Sequence, residues 1–192
     1  MDIRIKKLLD LWVHFKYTMQ EFDFLFSDKP EIVELRASTA PDFFYNVNEL
    51  YWNHILITIA KLLDPYEQGK NTNLSLFSLP AILTEHGVEN ITDLSNQLND
   101  LKEKYRPIIN YRRKHLAHYD ENYSTGRSEF NTCTGYNDVI IFLDEMLELI
   151  NSTLGLLGLP KDYPLVMYRP HHYGARTLLE LLSSQQPRKL DD

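Results

Sequence analysis

Apolar residues recur in steps of three and four through four long segments of this chain, and no stretch alternates, so folding must bury helical faces rather than a sheet. The first segment is the most regular. Ile5, Leu8, Trp12, Phe15, Met19, Phe22 and Phe26 form a heptad seam, the pattern of helices packed lengthwise. Lys29-Pro30 interrupts it, and Glu31 to Arg36 reads as a short turn of helix. Pro41, at a tolerated first position, opens a second long helix carrying Phe44, Val47, Tyr51, His54, Thr58 and Leu62, with His54 expected in or near the core. That helix ends at Leu63-Asp64-Pro65.

A polar loop is expected over Tyr66 to Asn73, then a helix over Ser75 to Glu85 whose Pro80 implies a kink or a late start. Asn73 or Ser75 is the expected cap of that helix. A long helix opening at Asn90 to Thr92 presents Leu94, Leu98, Leu101, Tyr105 and Ile108 on one face, and Pro107 bends it or divides it in two. Glu121 to Tyr136 reads as a surface loop. Asn137 or Asp138 caps a last long helix lined by Val139, Leu143, Met146, Ile150, Leu154 and Leu157, stopped by Gly158 and Pro160. An irregular crossing from Tyr163 to Tyr173 and a short helix from Gly174 to Ser184 complete the chain. An all-α, antiparallel four-helix bundle buries these stripes most simply. It occupies residues 2–158 of a single 192-residue domain, with 159–192 as a C-terminal extension bearing one short helix.

The single cysteine, Cys133, excludes an internal disulfide and fits a reducing, cytoplasmic setting. Apolar runs such as Ile55 to Ala60 and Val139 to Leu143 are too short to span a bilayer, so no membrane partner is expected. A formal net charge of -7 argues against indiscriminate coating of nucleic acid. Local charge differs: Lys102, Lys104, Arg106, Arg112, Arg113 and Lys114 stand against one acid, Glu103, and are followed by His115 and His118. One basic strip in an acidic protein points to a confined anionic ligand, although a solvated helix face also explains a charge run.

The motifs of common enzymes are missing: no phosphate-binding glycine loop, no Gly-x-Ser-x-Gly elbow and no HExxH. His171 and His172 are chain neighbours and read as loop histidines. Asp144, Glu145 and Glu148 lack the paired Glu-x-x-His elements of di-metal bundles, so neither a metal nor another cofactor is expected. What remains is arginine with histidine. The apolar rhythm that ends at Ile108 lands next on Arg112 and His115, and a guanidinium enters a buried seam only when paired or functional. Histidine moves protons near neutrality and arginine forks onto phosphate oxygens. Together they suit metal-free cleavage of RNA, in which the substrate's own 2′-hydroxyl attacks phosphorus. Other phosphate ligands, including nucleotides, present the same chemistry.

The string Arg112-Arg113-Lys114-His115-Leu116-Ala117-His118-Tyr119-Asp120 resembles the signature of the HEPN superfamily, an arginine followed by four to six residues and a histidine. More closely it resembles the abortive-infection U-type branch, with its Arg-Asn-Lys-x-x-Ala-His-x-Asp pattern. Trp12 in an aromatic-rich first helix, Ala60-Lys-Leu-Leu-Asp-Pro65 and Asn73-Leu-Ser-Leu76 carry the likeness over most of the chain. The resemblance implies a helical bundle that dimerises, a metal-independent endoribonuclease site shared across the homodimer, and a role in phage defence or as a toxin with an antitoxin partner. It makes Arg112 and His118 the catalytic residues. Arg113 departs from the family's small polar residue. Family members that keep the bundle without nuclease activity leave a second reading, a non-catalytic module binding a partner protein or nucleotide.

Helix geometry adds a reason to expect the dimer, because Arg112 and His118 lie about 120° apart around a regular helix and roughly 9 Å along it. A two-fold axis beside the helix lets both copies line one groove. Arg113, Lys114, His115 and Tyr111 are the expected substrate-binding residues. Lys114 and Arg113 would hold phosphates, His115 would assist His118, and Tyr111 and Tyr119 would stack on bases. Asp120 would orient an imidazole or end the helix. In the competing arrangement Arg112 forms an internal ion pair with Asp64 or Asp120.

Overall fold

In the computed structural model, residues 1–116, 134–161 and 174–184 are described, His115 and Leu116 through their backbone alone. The all-α expectation holds. Helices α1 (Ile3–Phe26), α2 (Pro30–Thr39) and α3 (Pro41–Leu62) are followed by a small hairpin, β1 (Glu67–Gln68) and β2 (Asn71–Thr72). A 3-10 turn (Leu76–Ser78) then leads into α4 (Leu79–Glu85), α5 (Thr92–Lys104) and α6 (Arg106–Tyr111). A π-helical turn (Arg112–Leu116), α7 (Tyr136–Leu156) and α8 (Ala175–Ser184) complete the described elements.

Two compact units emerge, Met1–His14 with Leu56–Leu165, and Phe15–Ile55 with Val166–Asp192. In the first, Ile5, Leu8, Leu9 and Trp12 of α1 are buried, as are Ile59 of α3, Leu63, Ile82 and Leu83 of α4, Leu98 of α5, and Phe142, Met146 and Ile150 of α7. The Trp12 indole nitrogen donates to the Leu143 carbonyl at 2.8 Å, which gives a large buried ring its polar partner. Tyr105 meets the Phe142 ring edge-on, 5.0 Å between centroids, and its one hydroxyl proton is shared between the Asp138 carbonyl at 3.0 Å and Glu145 Oε2 at 3.2 Å. Burial, reinforced by the Glu145 charge, pushes the Tyr105 phenol above its ordinary range.

In the second unit Leu25, Leu35, Phe44, Ala175 and Leu179 form their own core. Helix α8, expected as an appendage, therefore supplies core residues. Its start is fixed by Glu21, whose Oε2 accepts from the Ala175 N–H at 2.5 Å, an anionic acceptor at a helix N-terminus. A Cβ on Gly174 would lie 2.6 Å from Glu21 Oε1, so a larger residue there would push the carboxylate aside.

Four expectations need correction. Helix α2 runs Pro30–Thr39, longer than Glu31 to Arg36, because Pro30 starts it and the Pro41 of α3 ends it. His54 is exposed rather than in the core, since the buried face of α3 falls on Ile55, Leu56, Ile59 and Ala60. The polar loop contains an antiparallel hairpin pairing Glu67 with Thr72 and Gln68 with Asn71. Gly69, at φ +64°, supplies the positive φ that a two-residue hairpin turn requires. Gly135, rather than Asn137 or Asp138, caps α7, with Asp138 Oδ2 accepting its N–H at 2.7 Å.

The prolines behave as expected. Pro80 sits in the first turn of the late-starting α4, and Pro107 opens α6 after the chain breaks at Tyr105. Ser75 precedes the 3-10 turn, but its hydroxyl makes no cap bond.

At the N-terminus Asp2 Oδ1 caps α1 by accepting the Arg4 N–H at 2.8 Å, while the Arg4 guanidinium bridges Asp2 and Glu85. Hydrogen bonding from Arg4, above all, lowers the Asp2 carboxyl from 3.8 to about 2. A carboxyl depressed in the folded state stabilises it fully above the unfolded value, and that contribution disappears as pH falls through the folded one. Stability should therefore drop between about pH 4 and 2. In an acid series of thermal melts the Asp2→Asn variant, which keeps the cap acceptor, should show a shallower fall over that interval.

Candidate functional site

The buried stripe of α5 and α6 runs through Leu94, Leu98, Leu101, Tyr105 and Ile108 as its spacing demands, and each of these residues is almost fully buried. One turn beyond Ile108, helix geometry changes. Arg112–Leu116 is a π turn, a wide insertion that recurs at functional sites. Arg112 is its first residue, and its side chain retains 31% exposure while that of Asp64 retains 23%. Asp64 lies just past the C-terminus of α3. Its Oδ1 and Oδ2 accept from the same guanidinium nitrogen, Nη1, at 2.6 and 2.7 Å.

The Asp64 corner is itself held. Its backbone N–H donates to the Lys61 carbonyl at 3.2 Å, and Pro65 disfavours helical backbone at Asp64. The Pro65 carbonyl accepts from Asn73 Nδ2 at 2.9 Å, and Asn73 N–H donates to the Tyr66 carbonyl at 2.7 Å. The two ends of the hairpin segment are thereby tied to the corner. Sequence reasoning foresaw Asp64 but not this role of Asn73; the Asp64-Pro65 dipeptide was the available signal, marking a rigid turn whose carbonyl needs a donor.

The remaining cations of the basic strip are variously engaged. Lys104 donates to Glu145 Oε1 at 2.6 Å, Arg106 pairs with Glu103 at 3.3 Å, and Lys102 stands over the Phe77 ring at 5.1 Å. Arg113 is exposed and donates to Asn110 at 3.2 Å. Tyr111 and Lys114 are half-buried and make interactions of their own. The strip is thus partly neutralised; Lys104 and Arg112 are each tied to a distant segment, Arg112 at the more buried position. His115 contributes its backbone to the π turn. His118, Tyr119 and Asp120, the loop expected from Glu121, Cys133, and the crossing with His171 and His172 lie outside the described residues.

Glu145, weighed as one carboxylate of a di-metal set, is engaged by Lys104 and Tyr105 instead. Among the described residues no group of three or more histidines, cysteines and carboxylates is placed to hold a metal, and no helix is long and apolar enough to cross a membrane. Chemically, the arrangement offers a partly exposed guanidinium with one nitrogen held and, among the described residues, no hydrogen bond on the other two, a fit for an anionic oxygen.

A family model described as AbiU2, of the HEPN type, matches residues 3–169, a span that includes α1, the Asp64 corner and the whole arginine-to-histidine motif. No curated protein and no solved structure matches the chain.

Proposed function

We propose, from the premise that this chain belongs to the AbiU2 family of HEPN proteins, that it is a metal-independent endoribonuclease acting in phage defence or as a toxin. The family is an abortive-infection one, and HEPN domains commonly dimerise. In this reading the substrate's 2′-oxygen bonds to the adjacent phosphorus while the P–O5′ bond breaks, leaving a 2′,3′-cyclic phosphate and a 5′-hydroxyl. His118 moves the protons, from the 2′-hydroxyl and to the departing 5′-oxygen, with both copies of a homodimer contributing to one groove. Arg112 stabilises the extra charge on the phosphate oxygens. Arg113, Lys114, His115 and Tyr111 line the path of the RNA, and Asp120 orients an imidazole.

The observation that carries this reading is the Arg112 guanidinium, half-buried where a packed helical seam ends in a π turn and anchored by a single nitrogen. The same ion pair favours the second reading, a non-catalytic module in which Arg112 serves only structure. Expression in a bacterial host separates the two. Wild type should arrest growth and fragment total RNA with cyclic-phosphate ends, whereas His118→Ala should do neither. Fragmentation that persists with folded His118→Ala sinks the nuclease reading, and a wild type that leaves growth and RNA untouched supports the binding module.

A further inference from the structure

We infer that Asp64 is a positioning residue for Arg112, taking one guanidinium nitrogen so that the Nη2 and Nε edge is presented to a phosphate of the RNA. The inference rests on the ribonuclease reading and assigns Asp64 a part in it.

Three features support this. Both carboxylate oxygens converge on Nη1, so the pair is not the two-nitrogen fork that would use up the planar face of the guanidinium. Among the described residues Nη2 and Nε make no hydrogen bond, and the side chain as a whole keeps 31% of its exposure. The anchor is also stiff: Asp64 sits between the last turn of α3 and Pro65, and Asn73 clamps the Pro65 carbonyl. By contrast, among the described residues Arg106 and Arg113 lean on Glu103 and Asn110, each only three residues away along the chain, contacts that cannot fix a guanidinium relative to a distant part of the fold.

The opposite role, masking, would also produce an ion pair. The two differ in sign. If Asp64 positions Arg112, removing its charge slows cleavage; if it masks Arg112, removal accelerates it. The test uses the full-length chain and a fluorescently labelled single-stranded RNA oligonucleotide of mixed sequence. It compares wild type, Asp64→Asn, Asp64→Glu, Arg112→Ala and the Asp64→Asn/Arg112→Ala double variant, with melts to establish folding.

Asp64→Asn should lower kcat about 10- to 100-fold, the scale of losses from an ångström-level misplacement, while KM changes less than about threefold. In the Arg112→Ala background it should add almost nothing, because a residue acting through Arg112 has nothing left to act on. Asp64→Glu, which keeps the charge but shifts it by one methylene, should give an intermediate kcat and decides the matter should the asparagine variant fail to fold. An unchanged or raised kcat in the folded Asp64 single variants, or effects that multiply in the double variant, overturns the positioning role and leaves the nuclease standing. A wild-type chain that does not cut the oligonucleotide overturns both.

Discussion

Replacing Arg112 by alanine should reduce RNA cleavage about 100- to 1,000-fold, the range found when one preorganised stabiliser of a charged transition state is removed. Arg112→Lys should recover only a small part of that loss. An ammonium can still meet the Asp64 carboxylate, but it has no second and third nitrogen in fixed geometry to offer a phosphate. The fold should hardly notice. The pair is partly solvated on both sides, so its loss is worth no more than about 1 kcal/mol and a few degrees in Tm. A large activity loss beside an almost unmoved melt identifies a functional guanidinium; equal falls in both would identify a structural one. Initial rates on labelled RNA and circular-dichroism melts of the same preparations provide the comparison.

The largest effect on stability is expected at Trp12. It is 3% exposed, in the unit where Phe142, Met146 and Ile150 of α7 are buried, and its indole N–H serves the Leu143 carbonyl. Trp12→Ala removes both the ring and the donor. The cavity alone should cost about 3–5 kcal/mol, equivalent to a fall in Tm on the order of 10 °C for a chain of this size. Trp12→Phe keeps most of the bulk and loses only the hydrogen bond, about 1 kcal/mol. Equal melting temperatures for the two variants would show that the hydrogen bond, rather than the packing, holds this helix pair.

The helices were legible in the sequence because packing imposes a period, and that period survives in Ile5, Leu8, Trp12, Phe15 and Met19 and again in Val139, Leu143, Met146 and Ile150. Pro107 was legible as a break for an equally local reason, its missing donor. The phase of α3 was not. Its apolar residues extend around much of the helix, and only the neighbouring elements decide that Ile55 and Ile59 turn inward while His54 turns out. The hairpin is not legible because two-residue strands are too short to show alternation. Nothing in Arg112-Arg113-Lys114-His115-Leu116 distinguishes a π turn from an α turn, because the hydrogen-bond register there is set by tertiary context. The Arg112–Asp64 pair was anticipated as one of two acidic partners, since a cation continuing an apolar stripe needs a countercharge.

The hairpin tip has a consequence out of proportion to its size. Paired strands this short do not persist unaided, so the tip and the Asp64-Pro65 corner are joined through Asn73, by its side-chain amide to Pro65 and its backbone N–H to Tyr66. An insertion or a stiffer residue at Gly69-Lys70 leaves both hydrophobic interiors alone. It should nonetheless loosen the contacts from Asn73 through Pro65 and Asp64 to Arg112, so the exposed bend is expected to adjust from a distance how firmly that guanidinium is gripped.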